Sequence, residues 1–313
     1  MPKISVIIPA YNSSDFIERT INSVLRQTFS DWELLVINDC STDNTAEKIK
    51  SFCQKDPRIK YLETEKNSGG SATPKNIGIK NAQGEYVAFL DHDDEWLPEK
   101  LEKQLAVFEN SNIPNLGIVF CGAKLIDENK KNFAVVNYKN KKSVFPDMLI
   151  RNPIFSNSSV LLKKEIINII GERDAKIKYS EDYDMWLRIA KEGYAFFCVE
   201  EPLFKYYFHK NNFTKYVNLA EKVDNMEYIF DKNKDVYIKY KYLHIGYFRL
   251  GVMYFLAGSP QKSRNNFLNS IKAKKTFFPS YVGYIISFTG WIGVKIINLL
   301  IFFYRIIKGK KYF

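Results

Sequence analysis

Apolar residues recur along the first ninety positions in two alternating periods, and that alternation predicts the fold. Residues 4–8 and 34–37 are short, β-branched apolar runs of the kind that form buried strands. Between them Phe16, Ile17, Thr20, Ile21, Val24 and Leu25 recur at helical spacing behind the start signal Ser13-Ser14-Asp15. This is a β-α-β unit. The pattern continues with a helix over about 42–54, a strand near 59–62, a helix over about 73–82 closed before Gly84, and a strand at 86–90. Such alternation predicts an α/β fold: a mostly parallel sheet covered by helices on both faces, with ligands at its carboxyl edge.

Beyond residue 90 the spacing predicts a helix over 99–109, a strand over 117–124 and a solvated loop tip at 139–142. From about residue 217 the pattern turns helical. Two segments, 242–257 and 261–273, meet at Gly258-Ser259-Pro260, which predicts a helical hairpin similar to a single tetratricopeptide-like unit. The stretch 277–307 is the most apolar of the chain but is interrupted by Lys295 and Arg305, short of the roughly 18 uninterrupted apolar residues of a spanning helix. It is expected to lie in a membrane interface, with Trp291, Phe303 and Tyr304 near the headgroups and Lys308, Lys310 and Lys311 on anionic phosphates. A core helical hairpin and a true span are the alternatives.

Composition narrows the class. The 313 residues are 46% hydrophobic, with 46 Lys+Arg against 35 Asp+Glu, which excludes a disordered chain, a collagen and a disulfide miniprotein. The length suggests about two domains. The excess charge of +11 is unevenly placed: residues 1–201 hold 27 basic and 30 acidic side chains, and 202–313 hold 19 and 5. After Asp235 there are 13 Lys/Arg and no acid, among many Tyr, Phe, Ile and Leu. Such a segment suits an anionic surface, and its apolar character favours membrane lipid over nucleic acid. Cys40, Cys53, Cys121 and Cys198 form no C-x-x-C pair, so they read as buried free thiols rather than a zinc site. Met1-Pro2-Lys3-Ile4 runs directly into the first strand without the apolar core of a signal peptide, so a cytoplasmic location is expected.

Four segments carry candidate chemistry. No Walker A loop and no G-x-G-x-x-G follows the first strand; Pro9-Ala10-Tyr11-Asn12 stands there instead. The second strand ends at Asn38-Asp39, where Asp39 is either a turn or cap residue or an acid at the carboxyl edge. The fourth ends in Asp91-His92-Asp93-Asp94. Three carboxylates so close repel unless a cation neutralises them, so this is either a metal–diphosphate site for Mg²⁺ or Mn²⁺ or a solvated turn capping the next helix. Ser180-Glu181-Asp182-Tyr183-Asp184 opens a helix that stops at Gly193; its acids either complement the helix dipole or supply a general base. His209, in Tyr206-Tyr207-Phe208-His209, is one of three histidines.

Together these segments resemble an inverting glycosyltransferase of family 2, with the GT-A fold. The resemblance rests on Val6-Ile7-Ile8-Pro9-Ala10-Tyr11-Asn12, Ser23-Val24-Leu25-Arg26-Gln27-Thr28, Val36-Ile37-Asn38-Asp39-Cys40-Ser41-Thr42-Asp43-Asn44-Thr45, Asn67-Ser68-Gly69-Gly70, Phe89-Leu90-Asp91-His92-Asp93-Asp94 and Glu181-Asp182-Tyr183-Asp184-Met185-Trp186. It implies a Rossmann-like mixed sheet flanked by helices over residues 1–215, then a helical region over 216–275 and a basic, membrane-associating tail over 276–313. It implies that Pro9, Ala10, Tyr11, Asn12 and Asp39 hold the donor's base and ribose, with Asn67, Gly70, Lys75, Asp91, His92 and Asp93 also on the donor. Asp182 matches the catalytic base, and Glu181 and Trp186 would meet the acceptor. Asp91, Asp93 and His209 would hold Mn²⁺ or Mg²⁺, although Tyr206-Tyr207 stands where the family often has Tyr-Arg.

The implied activity is transfer of one hexosyl or N-acetylhexosaminyl unit from a nucleotide diphosphate sugar, most often a UDP-sugar in this family, to a saccharide or lipid-linked saccharide. No Q-x-x-R-W block is present, which favours single transfer over polymerisation. The implied setting is bacterial-type surface-glycan synthesis at the inner face of the cell membrane. A nucleotidyltransferase and a catalytically silent glycan- or membrane-binding module are the competing readings.

Overall fold

The computed structural model describes residues 1–127, 129, 131–137, 145–209 and 218–289. It divides into two compact units, Met1–Asn212 and Phe213–Phe313.

In the first unit, β1 (Ile4–Ala10) and β2 (Trp32–Asn38) are buried along their whole length, as their unbroken apolar runs require. Removing a side chain such as Ile7, Val36 or Phe89 from water contributes about 1.5–3 kcal/mol each. The crossovers are α1 (Ile17–Leu25), α2 (Thr45–Lys55) and α3 (Ala72–Asn81), and with β3 (Ile59–Glu63) and β4 (Tyr86–Phe89) they complete a parallel half-sheet ordered β3-β2-β1-β4. The register pairs Ala10 with Asn38 and Ile7 with Phe89. Parallel strands end on one side, so Tyr11, Asp39 and Asp91 leave the sheet along the same edge. α3 lies close on the sheet at Gly78, where a Cβ would stand 2.5 Å from Ile7 Cγ2.

The other half of the sheet is mixed. β8 (Leu161–Lys163) runs antiparallel to β4 and to β6 (Leu116–Ile126), β9 (Ala195–Tyr207) lies parallel to β6, β5 (Glu95–Trp96) is antiparallel to β9, and β7 (Asn132–Val136) edges β6. Only β6 of these is legible from spacing. β5 has two residues and β8 three, and the β6–β9 register slips where Cys121 and Gly122 face the Val199–Pro202 stretch. The acidic turn after β4 does not cap the next helix, because β5 intervenes and Glu99 occupies the cap of α4 (Lys100–Asn110). α5 (Lys164–Ile170) and α6 (Glu181–Lys191) follow β8. Cys121 and Cys198 are buried as expected, whereas Cys40 and Cys53 are half-buried.

The second unit is helical: α7 (Leu219–Lys232), α8 (Lys234–Lys239), α9 (Leu243–Leu256), α10 (Pro260–Ala273) and α11 (Phe278–Ile286). α9 and α10 form the expected hairpin, turning at Gly258 (φ +72°), with Pro260 opening α10 where its missing N–H costs nothing. Among the described residues no helix is long and apolar enough to cross a membrane. The expected loop tip at 139–142 and the tail residues Trp291, Lys295, Phe303, Tyr304, Arg305, Lys308, Lys310 and Lys311 lie outside the described residues.

Candidate active site

The carboxyl edge is built first from the ends of β1 and β2. Asp39 N donates to Ala10 O at 2.8 Å, Asn12 N to Ser41 Oγ at 3.0 Å, and Thr42 N to Asn12 Oδ1 at 2.8 Å. Asn12 takes φ +44°, a conformation that Asn tolerates. Tyr11 stands on this edge with its side chain exposed. Asp39 is buried, and both of its carboxylate oxygens are engaged: Oδ1 accepts from Thr64 Oγ1 at 2.8 Å, and Oδ2 from Ser68 Oγ at 2.8 Å. Asn67 Nδ2 donates to Asp39 O at 3.0 Å, and Ser68 Oγ lies 2.7 Å from Gly70 O. Asp39 therefore organises the turn that carries Asn67 and Gly70, in addition to any contact with a base.

The next turn, Asp91-His92-Asp93-Asp94, is tied down from several elements. Asp91 N donates to Ser158 Oγ at 3.0 Å, and Ser158 Oγ donates to Asp94 Oδ2 at 2.5 Å. Thr20 Oγ1 lies 2.8 Å from the carbonyls of both His92 and Asp94, and Arg19 Nη2 donates to Asp93 O at 2.5 Å while its guanidinium stacks 3.7 Å from the Tyr207 ring centroid. Burial, with the charges of Asp93 and Asp91 added, pushes the Asp94 carboxyl well above its ordinary value. The crowding of three negative charges in one turn adds to that upward shift. Burial also acts to raise Asp93, but its hydrogen bond with His209 and the two nearby imidazoles hold it below the ordinary value. Asp93 Oδ2 lies 3.0 Å from His209 Nε2, and the His209 ring stacks on Phe16 at 4.4 Å.

The three residues implied as metal ligands do not converge. Among the described residues no group of three His, Cys, Asp or Glu is placed to hold a metal ion. Asp91 faces Lys75, with Nζ to Oδ1 at 3.2 Å, and only Asp93 and His209 pair. The Asp93 carboxylate suits Mn²⁺ or Mg²⁺ with phosphate oxygens and water in the other positions, and the His209 imidazole as a further ligand suits Mn²⁺ rather than Mg²⁺.

The third part comes from α6. Ser180 enters it at φ +68°, and Glu181, Asp182 and Asp184 lie in its first turn, where the helix dipole favours negative charge. Glu181 is buried, and its Oε1 accepts from Ser71 Oγ at 2.7 Å, Lys75 Nζ at 3.3 Å and Arg173 Nη1 at 3.5 Å. Burial alone would raise its pKa, but the Lys75 and Arg173 charges win and hold it below the usual value. Asp182 is half-buried, with Oδ1 accepting from Tyr183 N at 2.8 Å. Burial and the charge of Glu181 push its carboxyl up to about 6. Asp184 has a different task. It pairs with Arg188 at 2.9 Å, and Arg188 Nη1 donates to the carbonyl of Ile170 at 2.6 Å, closing α5.

Trp186 is fully buried. Its ring lies 6.4 Å from that of Phe89, and the Arg173 guanidinium stands 4.3 Å over Phe89 and 5.3 Å over Trp186. Its indole is thus part of the wall behind Glu181 rather than an exposed face. Sequence reasoning missed Arg173, Ser71 and Ser158. Arg173 sits in a polar loop whose spacing carries no signal, and the other two are single serines known only by what they touch.

An α/β sheet that gathers an acidic turn and a helix-borne carboxylate on one edge is the arrangement that the resemblance to a GT-A glycosyltransferase implies. The family model described as Glycosyl transferase family 2 matches residues 5–167, and the chain belongs to that family. TuaG of Bacillus subtilis, a glycosyltransferase assigned to teichuronic acid biosynthesis, is 34% identical over 205 residues, covering 66% of this chain and 79% of TuaG. WfgD of Escherichia coli, a UDP-Glc:alpha-D-GlcNAc-diphosphoundecaprenol beta-1,3-glucosyltransferase, is 34% identical over 190 residues, 61% of this chain and 70% of its own. Residues 1–349 of S. aureus TarS, solved with UDP-GlcNAc, superpose with a TM-score of 0.68 at 21% identity, over 87% of this chain and 81% of that one, which establishes the shared fold.

Proposed function

We propose that this glycosyltransferase inverts the anomeric centre as it moves one sugar from a nucleotide diphosphate sugar, a UDP-sugar, to a hydroxyl of a saccharide or lipid-linked saccharide in surface-glycan synthesis. The observation that carries the reading is the pair at the start of α6: Asp182, half-buried with a carboxyl near pKa 6, beside Glu181 held ionised by Lys75 and Arg173. A base poised near the operating pH is what hydroxyl activation needs. The likeness to TuaG supports the setting, and the likeness to WfgD supports a lipid-linked acceptor and a UDP-sugar donor.

In this reading Pro9, Ala10, Tyr11, Asn12 and Asp39 seat the base and ribose, and Asn67, Gly70 and Asp91 line the donor beside them. The acceptor hydroxyl donates its hydrogen to an Asp182 carboxylate oxygen. As that proton moves to Asp182, the hydroxyl oxygen attacks the anomeric carbon from the face opposite the diphosphate, which leaves with the bonding pair. Asp93 and His209 would hold a divalent cation, which when bound neutralises charge on the departing diphosphate. Glu181 and Trp186 act from behind Asp182, as charge and wall, rather than on the acceptor surface. The C-terminal region, free of acids after Asp235, brings the enzyme to the anionic inner face of the cell membrane, where a lipid-linked acceptor lies.

The test is a melting-temperature titration with a panel of nucleotide diphosphate sugars, with and without Mn²⁺. A donor at about 100 times its dissociation constant adds about 2.7 kcal/mol of stability. A cation-dependent shift with one donor, lost in Asp93→Ala, supports the reading and selects the sugar for acceptor assays. No shift with any donor points to a silent module.

A further inference from the structure

α11 packs with its small side chains inward. Ser280 and Gly283 are buried, as is Ser287 just beyond the helix, and Ser280 Oγ lies 2.6 Å from Ser270 Oγ of α10. A Cβ on Gly283 would stand 2.5 Å from Cε1 of Phe267, so the close approach to α10 requires glycine at that point. The large apolar side chains face the other way. Phe278, Tyr281, Ile285 and Phe288 are 72%, 38%, 66% and 61% exposed. Phe278, Tyr281 and Ile285, three and four residues apart, form one stripe on α11, and Phe288 follows in the turn just beyond the helix. A helix at the surface of a water-soluble domain puts its apolar stripe inward, and a contiguous exposed one marks a surface that meets something else.

The charges beside the stripe say what that is. Lys272, Lys274 and Lys275 are exposed immediately before α11, and Tyr281 Oη donates to Lys275 O at 3.0 Å, holding the basic turn next to the stripe. The Arg264 guanidinium stands 4.7 Å over the Phe288 ring. From residue 236 to 289 there are eight Lys/Arg and no Asp or Glu. An apolar stripe rimmed by cations, in a stretch that carries no acid of its own, matches an anionic bilayer surface.

We infer that α11 is a membrane-docking helix: Phe278, Tyr281, Ile285 and Phe288 enter the headgroup–acyl boundary of an anionic bilayer, and Lys272, Lys274 and Lys275 rest on headgroup phosphates. This rests on the reading that the C-terminal region meets a membrane, and it narrows that contact to one face of one helix. The test uses the full chain with vesicles of phosphatidylcholine mixed with phosphatidylglycerol, and vesicles of phosphatidylcholine alone. The native chain partitions to the mixed vesicles, and raising salt from about 0.1 M to about 1 M, which shortens screening from about 10 Å to about 3 Å, weakens it. The triple variant Phe278→Ser, Ile285→Ser, Phe288→Ser loses about tenfold or more in partition while keeping the melting temperature and the donor-induced shift. The triple variant Lys272→Gln, Lys274→Gln, Lys275→Gln loses the preference for the mixed vesicles. If the serine variant partitions as the native chain does, the lipid contact lies elsewhere in the C-terminal region and this inference fails while the broader reading stands. If the native chain binds neither vesicle, both fail. A native dimer that the serine variant turns into monomer, with vesicle binding intact, assigns the stripe to a second copy and also overturns the inference.

Discussion

Lys75 Nζ lies 3.3 Å from Glu181 Oε1, a pairing between α3 and the first turn of α6 across 106 residues of sequence. The same ammonium stands 3.2 Å from Asp91 Oδ1 and is 1% exposed. One buried cation thus joins the acidic turn after β4 to the acid that neighbours the proposed base. Glu181 stays charged because Lys75 and Arg173 face it, and its charge is part of what raises Asp182.

Removing that cation should cost more than a surface ion pair would. Lys75→Met leaves Glu181 with Arg173 as its one remaining cation and Asp91 without Lys75, and breaking a buried pair in this way costs about 3–5 kcal/mol. Denaturant unfolding of the variant should show that loss, with Lys75→Arg retaining most of the stability. A loss within the range of exposed pairs, about 0–1 kcal/mol, would count against a structural role for the bridge.

The base predicts a pH dependence with a definite sign. Asp182 must be ionised to accept a proton, and its carboxyl is raised to about 6, so kcat/KM should climb as pH rises through about 6 and level above it. Asp182→Asn should lower kcat by about 10²–10⁴ and leave the donor-induced melting shift in place. An acidic limb near about 3.9, the ordinary value for Asp, would remove Asp182 from the role.

Asp93 and His209 should govern the response to cations. Asp93→Ala should abolish the Mn²⁺ dependence of donor binding, and His209→Ala should raise the Mn²⁺ concentration needed for half of the shift, because an imidazole next to the carboxylate is lost. Calorimetric titration with Mn²⁺ in the presence of donor reads both. Equal Mn²⁺ affinity in all three proteins would place the cation elsewhere.

Trp186 separates packing from recognition. Because it is fully buried, Trp186→Ala should cost about 3–5 kcal/mol of stability, whereas Trp186→Phe should fold and leave the acceptor KM unchanged. A large rise in acceptor KM for the Phe variant at unchanged stability would return the indole to the acceptor surface.

The parallel half of the sheet was legible because each element declares itself over a few neighbouring residues. β1, α1, β2, α2, β3, α3 and β4 all fall within three residues of the spans their periodicity predicts. β9 was not legible, since Glu200, Glu201 and Pro202 break its apolar alternation and the register with β6 slips there. His209 shows the consequence. Its motif marked it, but only the course of β9 brings it to Asp93.

The sequence by itself determined the β-α-β order, the acidic turns at strand ends, the helical hairpin and the charge asymmetry, all properties of local spacing and composition. Tertiary structure decided which of those acids are paired, which are raised and which are held down. Asp91, Asp93, Asp94, Glu181 and Asp182 are chemically near-identical carboxyl groups in the sequence. They part company because Lys75, His209 and Ser158 reach them from distant segments and Arg173 from the loop before α6, and because burial strengthens each such contact.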